Sequence, residues 1–181
     1  MPALTADQVV SEVLDGETLL VHGAGGVTGR LLVMLATLRG LRVVATAGPS
    51  SGERVRAAGA QEVLDYHDVA WPEEVRRLTG GAGVAAAANA VRGGAVEAMR
   101  AVADGGRLVT ITSDPPAEER GITVSSVYVR PDGDRLAALA VLLGDGSLTV
   151  PVGATFTLEE SALGLAKAVS GSLGGAAVLV L

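Results

Sequence analysis

The stretch Thr18-Leu-Leu-Val-His-Gly-Ala-Gly-Gly-Val-Thr-Gly-Arg-Leu-Leu-Val-Met-Leu-Ala36 constrains the fold more than any other part of the chain. An apolar strand runs into a glycine-rich turn and leaves it at once as an apolar helix. Helix N-termini carry unpaired N–H groups and a partial positive charge. Glycines at that point let an anion approach the backbone without any basic side chain, the layout of a dinucleotide-phosphate cradle. The best match to the dinucleotide fingerprint is Ala24-x-Gly26-x-x-Gly29, with alanine in the first position. In a chain with 25 glycines the same letters also suit a tight strand-to-helix turn that holds no ligand. The flanking strand and helix favour the cradle.

Helical and strand patterns alternate along the chain at the spacing of βαβ units, which implies a parallel sheet. The spacing predicts a lead-in helix over 5–14 and strands over 18–21, 41–46, 62–64, 84–88, 107–112 and 122–129. Helices are expected between them over 29–38, 52–58, 72–79, 95–102 and 132–143. Pro72 suits a first helical turn, with Glu73 and Glu74 complementing the dipole there. Six strands with five crossovers fit an α/β fold, a Rossmann-type doubly wound sheet whose ligand lies at the carboxyl ends of the strands. The tail reads differently, with a short strand over 148–152 that carries Pro151 and a capping-box pattern, Thr157-Leu-Glu-Glu160, opening a helix to Ser170. A very apolar strand over 174–181 follows. We divide the chain at Gly144-Asp-Gly146 into a nucleotide-binding domain, 1–146, and a C-terminal helix-strand appendage, 147–181.

Composition removes several function classes. The longest apolar run, Leu31 to Leu38, has helix rather than bilayer length, and the N-terminus lacks the basic-then-apolar pattern of a signal peptide. A cytoplasmic protein is expected. Zero cysteines and two histidines leave no disulfide framework and too few ligands for an ordinary zinc site. A net charge of −6 and four aromatics argue against nucleic-acid binding, which wants a basic surface and stacking platforms. His22 reads as hydrogen-bonded scaffold and His67 as solvated; Glu73, Glu74, Arg76 and Arg77 read as a solvated helix face.

The series Leu20-Val-His-Gly-Ala-Gly-Gly-Val-Thr-Gly29, Arg42-Val-Val-Ala-Thr-Ala47, Gly59-Ala60 with Val63-Leu-Asp-Tyr66, Gly105-Gly-Arg-Leu-Val109, Val127-Tyr-Val-Arg-Pro-Asp132 and Thr155-Phe-Thr-Leu-Glu-Glu160 covers nearly the whole chain. It resembles the zinc-independent quinone oxidoreductases of the medium-chain dehydrogenase/reductase superfamily. That resemblance implies NADPH-dependent hydride transfer to a quinone or an activated double bond. It also implies a GroES-like catalytic domain ahead of the cofactor domain, which the chain from Pro2 onward does not supply. In the family the region matching Leu148 to Leu181 folds back onto that domain. The expectation is therefore a fragment of a longer enzyme with little activity alone.

Cofactor choice follows from charge. An NAD site places an Asp or Glu at the end of the second strand, about 20 residues beyond the glycines. Counting from Gly26, that position is Thr46, so a 2′-phosphate meets no carboxylate there. Ser50, Ser51 and Arg54 follow with hydroxyls and a guanidinium suited to phosphate. Tyr66 matches a family tyrosine beside the adenosine phosphate, and NADPH is the expected cofactor. The family's usual lysine on the next short helix is missing, the chain's lysine being Lys167. The expected site comprises Ala24, Gly25, Gly26, Val27, Thr28 and Gly29, then Thr46, Ser50, Ser51, Arg54 and Tyr66. Asn89, Ala90 and Val91 after the fourth strand, with Thr112 and Ser113 after the fifth, complete it near the nicotinamide ribose. Asn89 stands where the family commonly has aspartate and serves equally well as a turn cap. Thr28, a valine in the family, either reaches a phosphate or bonds nearby backbone.

Rival classes fare worse. Neither Tyr66 nor Tyr128 has a lysine four residues on, as a short-chain dehydrogenase requires. Gly29 is followed by Arg30-Leu31 rather than the Lys-Ser/Thr of a phosphate-loop NTPase. A methyltransferase would want the acidic residue that Thr46 replaces. The enoylreductase domains of polyketide synthases share the Val21-His22 context, without their downstream lysine pattern being evident here. A noncatalytic or regulatory nucleotide-binding domain stays open, because fold does not set function. The family often pairs cofactor sheets across a dimer axis, so an apolar edge over Ile122–Val129 is expected to support a homodimer.

Overall fold

Apolar residues alternate between two faces along the central strands, and each face is covered by helices. The computed structural model describes residues 1–171 and 173–181. Strands β1 (Thr18–His22), β2 (Arg42–Ala47), β3 (Glu62–Asp65), β4 (Val84–Asn89), β5 (Val102–Thr110) and β6 (Thr123–Ser126) form one parallel sheet in the order β3-β2-β1-β4-β5-β6. Helices α1 (Pro2–Val10), α2 (Val27–Leu38), α3 (Gly52–Ala57), α4 (Trp71–Leu78), α5 (Ala95–Arg100) and α6 (Gly133–Gly144) lead in and connect. Leu19 and Val21 pack with Val9, Leu31 and Leu32 on one side of the sheet. Leu20 points the other way, into a cluster with Trp71, Val75, Met99 and Leu108. This is the period-two consequence of the pleat. The chain starts at the sheet centre, winds outward to β3 and returns to β4, so a crevice opens between the ends of β1 and β4.

Local structure departs from the sequence pattern at three places. Ala86, Ala87 and Ala88 are poor strand formers, yet they sit fully buried in β4 because β1 and β5 hydrogen-bond them from both sides. β5 begins at Val102 rather than 107: Val84 pairs with Val102 and Ala86 with Arg107, across a register shift. Gly106 makes this close pairing possible, since a β-carbon there would lie 2.7 Å from the Ala85 carbonyl oxygen. The expected helix over 95–102 accordingly stops at Arg100. β6 covers only 123–126 of the expected 122–129. Beyond it the Gln8 side chain of α1 bonds both the N–H and the carbonyl of Arg130, at 3.1 and 2.8 Å, and so ties the following segment to α1.

The tail forms a second, two-stranded parallel sheet from β7 (Val152–Thr157) and β8 (Ala176–Val180), with α7 (Ser161–Val169) as the crossover. The strand expected over 148–152 does not form. Leu148 is instead buried in the main core, its N–H bonded to the Leu142 carbonyl at 2.8 Å, and Pro151 has no N–H to offer a strand. The helix expected from Thr157 starts at Ser161. Half of the capping box survives ahead of it, with Glu160 Oε2 accepting from the Thr157 N–H at 3.0 Å.

Candidate cofactor-binding site

The carboxyl ends of β1, β2, β3 and β4 border a cleft of about 780 Å³. A hollow of about 390 Å³ adjoins it, and the two share Gly25, Gly26, Ser50, Ser51 and Gly171. The glycine loop forms the junction. Gly23 has φ +88° and Gly26 caps α2 in an extended conformation. A β-carbon on Gly29 would lie 2.2 Å from the Gly23 carbonyl oxygen and 2.8 Å from Ala24 Cα, so this glycine lets the helix pack onto the turn. Gly26 has no such internal need, its nearest neighbour being 3.8 Å away. The open space there faces the cleft. No side chain caps α2 and no acidic residue occupies its first turn. The bare N-terminus of a twelve-residue helix suits a diphosphate.

Of the sequence-predicted residues, Gly25, Gly26, Val27, Ser50, Ser51 and Arg54 come together around this loop. Tyr66, Ala90 and Val91 line the larger cleft. Ala24 and Gly29 lie behind the loop and shape it, and Thr28 sits in the first turn of α2 without lining either hollow. Thr46 lies beneath the loop rather than on the cleft wall: it is fully buried, and its hydroxyl accepts the Gly23 N–H at 3.1 Å and bonds His22 Nδ1 at 2.7 Å. It therefore braces the glycine loop from beneath, while Ala47 and Gly48 present the end of β2 to the cleft. Neither carries a charge.

Asn89 takes the turn-capping alternative. Its fully buried amide donates to the Val91 carbonyl, Thr110 Oγ1 and Thr112 Oγ1, and its oxygen accepts the Val91 N–H at 3.1 Å. Thr112 passes the chain on to Asp114, which accepts the Gly93 N–H at 2.6 Å. These hydrogen bonds, the Thr112 hydroxyl first, hold the Asp114 carboxyl below its ordinary range. Asn89 and Thr112 thus tie the loops after β4 and β5 together rather than lining the cleft, and Ser113, at φ +61°, turns the backbone between them.

Other residues at or beside the cleft lie outside the expected site. His22 stacks on Trp71 with ring centroids 4.7 Å apart and planes 18° from parallel. Burial depresses its pKa to about 4, against the smaller opposing pull of Glu97, so it is neutral at neutral pH. His67 is paired with Asp65 at 2.7 Å at the exposed end of β3. From the tail, Val169 and Gly171 reach the cleft, and Gly174 and Gly175 line the adjoining hollow. Local pattern cannot announce residues so far along the chain from the loop they cover.

Comparison with known proteins places this geometry. A family model described as zinc-binding dehydrogenase matches residues 58–179. A phthioceranic/hydroxyphthioceranic acid synthase of Mycobacterium bovis is 33% identical over 104 residues, 56% of this chain and 5% of the synthase. The trans-enoyl reductase ACTTS2 of Alternaria alternata is 39% identical over 69 residues, 38% of this chain and 20% of that protein. Among solved structures, an NAD-dependent alcohol dehydrogenase superposes with a TM-score of 0.89 at 30% identity, covering 99% of this chain and 56% of the other. A quinone oxidoreductase of Pseudomonas syringae shares the fold, with a TM-score of 0.85 at 21% identity over 99% of this chain and 62% of that one. The chain spans about half the length of the alcohol dehydrogenase. The family description names zinc, yet this chain has no cysteine and, among the described residues, no group of three or more His, Cys, Asp or Glu that could hold a metal ion. The described residues by themselves offer no ligand set for a zinc site. The parallel sheet, the bare helix N-terminus behind the glycine loop and the family match together make this chain a member of the zinc-binding dehydrogenase family, carrying the nucleotide-binding part of a medium-chain dehydrogenase/reductase.

Proposed function

We propose that the chain is the NADPH-binding domain of a zinc-independent oxidoreductase that delivers hydride to a quinone or an activated double bond. The observation that carries the cofactor choice is the end of β2, where Thr46, Ala47 and Gly48 offer no carboxylate and Ser50, Ser51 and Arg54 follow around the adjoining hollow. The alcohol dehydrogenase neighbour is named for NAD, so the choice rests on this chain's own side chains. Bound in the cleft, the nicotinamide would supply a hydride. The protein's part is to hold it: the N–H groups at the start of α2 face the diphosphate, Tyr66 flanks the adenosine end, and Ala90 and Val91 wall the ring end. Asn89, Thr112 and Asp114 keep those last loops in place. His22, neutral and stacked on Trp71, is floor rather than proton donor.

The acceptor-binding half of the reaction belongs to a GroES-like domain outside residues 1–181, and the reading makes 1–146 the nucleotide domain and 147–181 the segment that returns to its partner. We place the whole enzyme in the cytoplasm as a homodimer joined through the β6 edge. No helix among the described residues is long and apolar enough to cross a membrane. Calorimetry decides the cofactor: NADPH binds more tightly than NADH, and equal affinities refute the 2′-phosphate argument. Robust NADPH-dependent quinone reduction by the chain alone would overturn the idea that it lacks its catalytic half.

A further inference from the structure

Arg30 follows the last glycine of the loop and lies in the first turn of α2. It keeps only 6% of its surface exposed, and its guanidinium donates to the Gly174 carbonyl at 3.2 Å. Arg54 reaches the same place from α3. A β-carbon added to Gly174 would lie 3.4 Å from Arg54 Nη2, which also donates to Ser51 Oγ at 3.3 Å. Two guanidiniums therefore flank one glycine: Arg54 and Gly174 line the hollow beside the glycine loop, and Arg30 is buried against the Gly174 carbonyl, outside that lining. Among the described residues, the ion pairs include neither of them.

Two like charges brought together, one of them buried, and answered by a neutral carbonyl, form an arrangement that an anion would stabilise. Burial first, and the Arg54 charge second, push the Arg30 guanidinium below its ordinary range, which points the same way. A guanidinium fork matches phosphate oxygens, and Arg30 retains further N–H donors beyond the one used by Gly174. We propose that Arg30 joins Arg54 in seating the 2′-phosphate of the nucleotide, which makes Arg30 a specificity-determining residue of the cleft. The proposal rests on the NADPH reading above and adds a second cation to it, from a different helix.

The test titrates the full 181-residue chain calorimetrically with NADPH, NADH, adenosine 2′,5′-bisphosphate and adenosine 5′-phosphate. Arg30→Leu weakens NADPH and the bisphosphate roughly tenfold or more, the scale of a charge-assisted hydrogen bond. NADH and the monophosphate stay within about twofold of the wild type. Arg30→Lys, which keeps the charge but loses the fork, falls between, and the wild-type preference shrinks as salt rises. Equal weakening of NADPH and NADH overturns the proposal, because Arg30 then serves the diphosphate or the fold; so does unchanged NADPH affinity. Should the leucine variant fail to fold, the lysine variant carries the same criterion. A wild-type chain that binds both nucleotides equally sinks the NADPH reading itself, whereas a preference that survives Arg30→Leu sinks only the role of Arg30.

Discussion

The six-stranded body and the C-terminal β7-α7-β8 unit are both apolar, and they bury that apolar surface to very different degrees. In the body, Leu19, Leu20, Val21, Leu32, Val43 and Val44 are all fully buried between sheet and helices. In the C-terminal unit Phe156 is packed against Gly164, while Leu163, Leu165, Val169, Leu179 and Val180 are exposed. Two strands and one helix form a single layer pair with one covered face, too little to enclose a core. The body closes its own core. The tail leaves these apolar residues outward, and its tie to the body includes the Arg30 contact with Gly174.

The largest expected effect sets a body leucine against a tail leucine. Leu32→Ala, in the core of the body, lowers the unfolding free energy by about 2–5 kcal/mol in urea titration, whereas Leu165→Ala, at a position 67% exposed, stays within about 0.5 kcal/mol. Comparable losses would mean that the tail buries Leu165 after all, most simply by self-association.

A pH series probes the body from the site side. His22 titrates near 6.5 when unfolded and about 4 when folded, so the unfolded state takes up its proton first as pH falls. Stability from this group is complete above 6.5 and declines between 6.5 and about 4, by roughly 3 kcal/mol in all. His22→Gln flattens that stretch of the stability curve. An unchanged slope would place the acid sensitivity elsewhere.

Gly29→Ala forces a β-carbon onto the Gly23 carbonyl. It costs about 1–3 kcal/mol and reshapes the loop, so nucleotide affinity falls with stability. Gly26→Ala makes the informative partner, since it meets no protein atom closely and acts on the ligand alone. If both variants bound nucleotide like the wild type, the cradle reading would fail. The smallest effect lies at the start of α6, the last helix of the body before the tail, where Asp132 caps it by accepting the Arg135 N–H at 2.9 Å. Asp132→Ala lowers the thermal midpoint by an amount corresponding to about 1 kcal/mol. A larger loss would show that α6 holds the tail as well as its own cap.

How much of this was legible beforehand varies with the range of the interactions. The β1-loop-α2 unit follows from neighbouring residues, with α2 starting only two positions before the expected Gly29. The edge of the sheet was harder. Beyond the end of β6 the chain is held by Gln8, more than a hundred residues earlier, and no local pattern contains that contact. Thr157 to Glu160 shows a middle case: the capping hydrogen bond forms as the letters suggest, but pairing with β8 extends the preceding strand up to Thr157 and delays the helix. In the site, Ser51 and Arg54 lie next to the glycines as the spacing requires. Thr46 and Asn89 are at strand ends as expected, yet face inward.

By itself, the sequence determined the strand-turn-helix cradle, the parallel alternation that surrounds it and the absence of a carboxylate at the end of the second strand. Each depends on residues within a few positions of one another, where backbone geometry follows from composition. Tertiary structure alone decided that Thr46 braces the loop through His22, that Asn89 clasps two loops, and that Arg30 and Arg54 meet at Gly174. Side-chain direction on a strand depends on which face its neighbours bury, and two guanidiniums from different helices meet only when folding brings the distant Gly174 between them.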